Sequence, residues 1–293
     1  YLKKPDHVTV DQGVEVVRSF APQAKGLANF ALHRAVEMKE QFPFGDIETS
    51  PKAAALSEGF PQWLTERLIE ELGHDEALRF MQRSNNPAPL FFMLNLACVD
   101  GPKALSEMVQ RQIKIVPVSK SIDLPLTRFG EQIHLDTLDM DVQRTEERKK
   151  QLAKANINQG DIFVKDATNL SSFDPDSYDA VFVDAPCSGI GTLRRHPDIR
   201  WRMNEDDVAS LAVMGEKMIV EAARLVKVGG QLTFATCTVL SQENQRVIDS
   251  FLKSEVGSGF EVVRTVSTDA LSREKVTGPI YDAHYACVLK RVK

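Results

Sequence analysis

Ala180-Val181-Phe182-Val183-Asp184-Ala185-Pro186-Cys187-Ser188-Gly189 runs from four consecutive apolar residues into an acid, a turn and a thiol. A short unbroken apolar run marks a strand with both faces covered, because each side then needs apolar side chains. Leu232-Thr233-Phe234-Ala235 repeats the arrangement and ends in Thr236-Cys237-Thr238. Between the two, Asp206 to Val226 reads as one long helix closed by Gly229-Gly230. Strand, helix, strand is the repeating unit of a parallel sheet.

Working outward, the same alternation extends in both directions. Upstream, Ile133 to Leu135 and Thr137 to Asp139 read as strands, Arg144 to Ala155 as a helix and Ile162 to Lys165 as a strand. Downstream, Ser241 caps a helix running to about Lys253 with Glu243 in its first turn, and strands follow near Phe260 to Val263 and Tyr285 to Leu289. The expected fold is α/β, a doubly wound Rossmann-like sheet over 130–293. One junction is awkward, since a parallel crossover needs a dozen residues or more and a single residue separates Leu135 from Thr137. Either one strand assignment fails there or a loop and helix are missing, and the second reading is preferred.

The N-terminal part differs in texture. Val8 to Phe20 and Ala24 to Met38 carry apolar residues at helical spacing, and Phe42-Pro43-Phe44-Gly45-Asp46 interrupts them before a polar linker to about Ser57. Two helical patterns fill Pro61 to Asn85, Asn86-Pro87-Ala88-Pro89 breaks them, and strands at Leu90 to Leu96 and Ile113 to Val118 flank a helix over 102–113. Three segments result: helical 1–45, a small α+β module over 46–129, and the α/β domain from 130 to 293.

Composition excludes several classes. Of 293 residues 43% are hydrophobic, enough for packed cores and against disorder. No run of about 18 apolar residues occurs, so no membrane span is expected, and the first residues lack the apolar core of a signal peptide. Cys98, Cys187, Cys237 and Cys287 are too sparse for a disulfide framework and form no C-x-x-C pair. Reduced thiols in a cytoplasmic, monomeric protein without a metal are expected. The net charge of −5 does not suggest nucleic-acid binding, but phosphate affinity needs only a local basic surface. Arg194-Arg195-His196-Pro197-Asp198-Ile199-Arg200-Trp201-Arg202 supplies one, with four arginines, a histidine and a tryptophan in nine positions.

Sites in doubly wound sheets form at the carboxyl ends of strands, and sequential strands joined by one helix are often neighbours. Cys187 and Cys237 therefore both belong at one cleft. A strand-end cysteine taken alone is more often a small buried hydrophobe than a nucleophile. The pair is more specific. Asp184-Ala185-Pro186-Cys187-Ser188-Gly189-Ile190-Gly191 and Thr236-Cys237-Thr238, followed by Glu243-Asn244, resemble the signature motifs of the NOL1/NOP2/Sun family of RNA cytosine-5 methyltransferases. Leu193-Arg194-Arg195-His196-Pro197-Asp198-Ile199-Arg200-Trp201 is similar to its bacterial Sun/RsmB-type branch, which modifies 16S ribosomal RNA. Pro5-Asp6-His7-Val8 and Gly26-Leu27-Ala28-Asn29-Phe30-Ala31-Leu32-His33-Arg34 resemble the last helices of the NusB-like RNA-binding domain that precedes it.

The resemblance implies S-adenosylmethionine as methyl donor and RNA, small-subunit ribosomal RNA in particular, as partner. It implies that Cys237 attacks carbon 6 of cytosine, that Cys187 assists release, that Asp184 acts at ring nitrogen 3 and that Pro186 shapes the base pocket. It assigns Asp139, Asp166 and Asp184 to the donor, with Asp136 at the entrance of its glycine-rich loop, and Arg194, Arg195, His196, Arg200 and Trp201 to RNA. The sequence departs from the family at one place. The loop of an Asp followed by Cys-Ala-Ala-Pro-Gly-Gly-Lys is absent, and it belongs immediately after Leu135-Asp136, where the awkward junction lies. Asp282-Ala283-His284-Tyr285 also stands where the family tends to carry Gly-Phe-Phe. A catalytically silent RNA-binding ribosome-assembly factor is the alternative reading.

Overall fold

A computed structural model describes residues 4–88, 101–111, 134–154, 159–267 and 282–293. The strands expected at Leu90 to Leu96 and Ile113 to Val118, and the segment boundary at 129/130, lie outside the described residues. The chain forms two compact units, Tyr1–Met81 and Gln82–Lys293.

The first unit is helical. Helices α1 (Asp6–Phe20) and α2 (Lys25–Met38) pair. Next come α3 (Pro51–Glu58), α4 (Gln62–Leu72) and α5 (His74–Ser84). Helix α3 replaces the expected polar linker. Its start and stop were present in the sequence: Ser50 accepts from the Ala53 N–H, Pro51 opens the first turn, and Gly59 closes it at φ +67°. Its buried face is Ala53, Ala54 and Ala55, too small to register as an apolar stripe.

The second unit holds α6 (Gly101–Gln110) and two sheets. In one, β1 (Leu135–Asp139) and β2 (Gln159–Val164) run parallel, linked through α7 (Val142–Lys154). In the other, β3 (Tyr178–Asp184), β4 (Val226–Thr236), β5 (Phe260–Ser267) and β6 (Tyr285–Arg291) lie in the order β3-β4-β6-β5. Three expectations change. Ile133 lies outside the described residues, and from Leu135 to Asp139 the chain is one strand, with the register slipping between Leu135 and Thr137, so no crossover falls between those two residues. The larger sheet is mixed: β3 and β4 are parallel, whereas β6 runs antiparallel between β4 and β5. The apolar run at 180–183, expected to be covered on both sides, also leaves Phe182 exposed.

One face of the larger sheet carries Val183, Leu232, Phe234, Cys287 and Leu289. After the single turn α8 (Ile199–Arg202), Ala212, Ile219, Ala222 and Ala223 of α9 (Glu205–Leu225) and Val247, Ile248 and Phe251 of α10 (Gln245–Lys253) pack on it. Helix α9 starts at a reciprocal cap, in which Asn204 accepts from the Asp207 N–H and Asp207 from the Asn204 N–H. It ends at Leu225, and Gly229 (φ +85°) and Gly230 lie inside β4 rather than capping the helix. There β4 bulges out between the pairs Tyr178↔Val226 and Ala180↔Gln231. The opposite face shows Phe182 66% exposed, so the apolar run at 180–183 has only one side covered.

Strand β1 pairs only with β2, and β3 only with β4, among the described residues. The Tyr178 hydroxyl at the start of β3 donates to Asp136 Oδ2 on β1 at 2.7 Å and ties the two together.

Candidate active site around two paired thiols

Strands β3 and β4 end level, with Asp184 opposite Ala235, so the turns leaving them are brought together. Cys187 follows the first and Cys237 the second, and their Sγ atoms stand 3.4 Å apart. The backbone N–H of Cys237 also donates to Cys187 Sγ at 3.3 Å. Both thiols are partly accessible, whereas Cys287 is buried in the core. Their environments push them apart. The hydrogen bond from Cys187 holds Cys237 below the ordinary thiol range, against burial and the charge of Asp184. The same contact, together with burial, raises Cys187 far above it. The contact thus favours the charged form at Cys237 and the protonated form at Cys187.

A buried polar clamp beneath the thiols fixes both turns. Glu243, 2% exposed, accepts from the Ser188 N–H and the Ser188 hydroxyl, both at 2.6 Å. Ser188 Oγ meets Thr238 Oγ1 at 3.0 Å. Asn244 receives the Thr236 hydroxyl and donates to the Thr238 carbonyl. Burial raises the Glu243 carboxyl above its ordinary value while the Ser188 donors pull it back. Glu243 therefore does not serve the start of α10 as an exposed first-turn acid, and Ser241 is not its capping side chain: both lie in a short 3₁₀ turn before the helix. Sequence reading quoted Ser188, Glu243 and Asn244 within motifs and gave the clamp no role.

Gly191 closes the site. Its N–H donates to the Cys237 carbonyl, and its carbonyl accepts from the Ala283 N–H, each at 3.0 Å. A β-carbon there would lie 2.1 Å from the Ala283 oxygen and 2.8 Å from the Cys237 oxygen. Asp184 is exposed beside the thiols, and Pro186 is half-buried.

The arginine segment leaves the same turn, and two of its four cations, Arg194 and Arg200, reach residues 85–87. The Arg194 guanidinium donates to the carbonyls of Asn86 and Pro87. Arg200 is buried with Nη1 on Asn85 Oδ1 at 3.0 Å, Arg195 pairs with Asp282, and Arg202 pairs with Asp198. His196 is exposed, and Trp201 is 65% exposed. The segment thus fastens the β3 turn to residues 85–87 and offers an aromatic face outward.

The remaining carboxylates are scattered along β1 and β2. Asp139, at the end of β1, accepts from the Asp141 N–H and pairs with Arg144 and Arg148 at 3.4 and 3.3 Å. Asp136 is held by Tyr178, the Asp161 N–H and His134. Asp166, beyond the end of β2, is exposed and receives the Thr168 N–H and hydroxyl, which hold its carboxyl below the ordinary range. No group of three metal-ligating side chains occurs among the described residues. No helix among them is long and apolar enough to cross a membrane.

A family model described as the 16S rRNA methyltransferase RsmB/F matches residues 126–278. The ribosomal RNA small subunit methyltransferase B of Yersinia enterocolitica is 27% identical over 350 aligned residues, 99% of this chain and 79% of that protein. The probable enzyme of the same name from Bacillus subtilis is 25% identical over 86% of this chain and 69% of its own length. A solved methyltransferase homologue from Pyrococcus horikoshii shares the fold, with a TM-score of 0.59 and 16% identity over 81% of this chain and 97% of that one.

S-adenosylmethionine is the methyl donor such a family uses. The described residues do not make a complete site for it. The glycine-rich turn is absent from the chain, Asp136 and Asp139 are committed to internal partners, and β1 has no strand on its free side among the described residues. The Yersinia alignment spans 350 positions against 293 residues here, so that relative carries interior residues with no counterpart. With half of its length and both cysteine motifs inside the matched region, the chain belongs to the RsmB/F family of 16S rRNA methyltransferases, the Sun-type branch.

Proposed function

We propose that this protein modifies carbon 5 of a cytosine in small-subunit ribosomal RNA, with Cys237 as nucleophile and Cys187 as its proton-bearing partner. The observation that carries the reading is the 3.4 Å contact between two thiols at the ends of adjacent parallel strands. Carbon 5 of cytosine is weakly nucleophilic. Addition of the Cys237 thiolate to carbon 6 turns the ring into an enamine, whose electron density is highest at carbon 5. Asp184, exposed at the same strand end, is suited to hold a proton at ring nitrogen 3 as charge develops there. Once carbon 5 is substituted, its hydrogen must leave before the carbon–sulfur bond can break. Cys187 is within reach of that exchange and is assigned to it. Trp201 offers a stacking face for a base drawn out of its helix, and His196 is exposed in the same segment. With their guanidinium groups engaged internally, Arg194, Arg195 and Arg200 act on RNA by holding this segment in place.

We propose further that α1 and α2 belong to a NusB-like RNA-binding region, and that the protein works as a cytoplasmic monomer without a metal. A second reading has its own support: the absent glycine-rich turn favours an RNA-binding assembly factor that does not transfer methyl groups. Small-subunit RNA incubated with labelled S-adenosylmethionine separates the two. Cytosine-5 label lost in Cys237→Ala, with a covalent protein–RNA adduct accumulating in Cys187→Ala, is the expected result. RNA binding without label or adduct would leave the assembly factor, and label retained by Cys237→Ala would sink the mechanism.

A further inference from the structure

The paired thiols have a second chemistry open to them that the cytosine reaction does not use. Their sulfurs are 3.4 Å apart and both partly accessible, on turns that two hydrogen-bonded strands hold level. A disulfide brings two sulfurs to about 2.0 Å, so only a small adjustment of the side chains separates the present contact from a bond. Of the other two cysteines, Cys287 is sealed in the core and Cys98 lies outside the described residues.

We infer that Cys187 and Cys237 form a reversible disulfide when the protein meets a hydroperoxide, and that this bond removes the site nucleophile. The Cys237 thiolate attacks the terminal peroxide oxygen. A sulfur–oxygen bond forms, the oxygen–oxygen bond breaks, and the released alkoxide or hydroxide takes a proton from water. The peroxide is reduced, and Cys237 becomes a sulfenic acid. The Cys187 sulfur then attacks Cys237 Sγ. The sulfur–sulfur bond forms, and the oxygen leaves as water with the Cys187 proton. The surroundings suit both steps. The hydrogen bond from Cys187 favours the thiolate at Cys237, the form that reacts with peroxide. That hydrogen bond and the Cys237 charge are among the causes that raise Cys187, and both lapse once Cys237 is a neutral sulfenic acid. The Cys237 N–H at 3.3 Å then supports negative charge on the attacking Cys187 sulfur.

The bond itself stands on geometry, whereas its effect on RNA chemistry rests on Cys237 being the nucleophile. The test treats the full chain with hydrogen peroxide, then alkylates and digests it without reductant. A linked peptide containing Cys187 and Cys237, a parent mass lower by two hydrogens and full reversal by dithiothreitol are expected. In Cys187→Ser the link should vanish and dimedone should label Cys237. Oxidation of Cys237 with no link to Cys187 would overturn the proposal, as would a link that appears only in denaturant. A parallel arm uses RNA carrying 5-azacytosine, whose carbon 6 accepts thiolates readily. Reduced protein should capture it, and oxidised protein should not. Failure of capture by the reduced protein, with the link still forming, would remove the nucleophile assignment and leave the disulfide standing.

Discussion

The contact with Cys187 holds Cys237 below the ordinary thiol range, and this has a measurable sign. A folded value below the ordinary thiol range means the charged form is present above that lowered value and lost as pH falls through it. Alkylation of Cys237 by iodoacetamide should therefore level off below about pH 8.5, where a free cysteine is still gaining thiolate. Cys187→Ala removes the donor and should move the profile back up, and an unmoved profile would show that another group sets it. Glu243 carries the opposite sign. Its raised value, caused first by burial, makes its contribution complete below about pH 4.3 and diminishing as pH rises through the raised value. Glu243→Gln should flatten that dependence. Glu243→Ala, which leaves the buried Ser188 N–H unpaired and its hydroxyl with Thr238 alone, should cost about 1–3 kcal/mol in denaturant unfolding.

At the level of elements, the site is made by turns that follow strands, so it depends on how tightly those turns approach. Gly191→Ala places a β-carbon against two carbonyl oxygens. It is expected to loosen the contact between the β3 and β4 turns, lowering adduct yield and melting temperature together. Melting unchanged from wild type would mean that the turn can shift without cost. The cap of α9 makes a contrasting case, since it lies at the far end of its own element from Leu225. Asn204→Ala should cost about 1 kcal/mol by chemical denaturation and leave the reactivity of the thiols as it was. The arginine segment belongs at this level too, because Arg194 and Arg200 hold a loop to residues 85–87.

For the whole molecule, the unjoined sheets matter most. Strands β1 and β3 are linked by Tyr178 to Asp136, a hydrogen bond to a charged acceptor, and burial, with that bond adding to it, pushes Tyr178 up to about 12. Tyr178→Phe should destabilise the second unit by about 1–2 kcal/mol. Of the carboxylates that the resemblance assigns to the donor, Asp136, Asp139 and Asp166 sit on the β1–β2 side and Asp184 with the thiols on the β3–β4 side, and no glycine-rich turn connects them. S-adenosylmethionine should accordingly bind at least tenfold more weakly than to the Yersinia relative, about 1.4 kcal/mol, when both are titrated calorimetrically. Equal affinity would show that other residues replace the missing turn.

Local chemistry was legible in the sequence wherever one segment carried all of it. Two apolar runs each ending at a cysteine announced strand-end thiols, and the long helix between them brought those strands side by side. Helix α3 was missed because alanines make a buried face without an apolar stripe. Only the tertiary structure decided what depends on residues far apart in the chain. Glu243 reaches Ser188 across 55 positions, β6 inserts antiparallel between β4 and β5, and Arg194 and Arg200 turn to residues 85–87. A strand's period reports which faces are apolar, but not which strand lies beside it or whether a helix covers the second face. The 180–183 run, read as covered on both sides, has Phe182 exposed on one of them, because burial belongs to the neighbours and not to the strand.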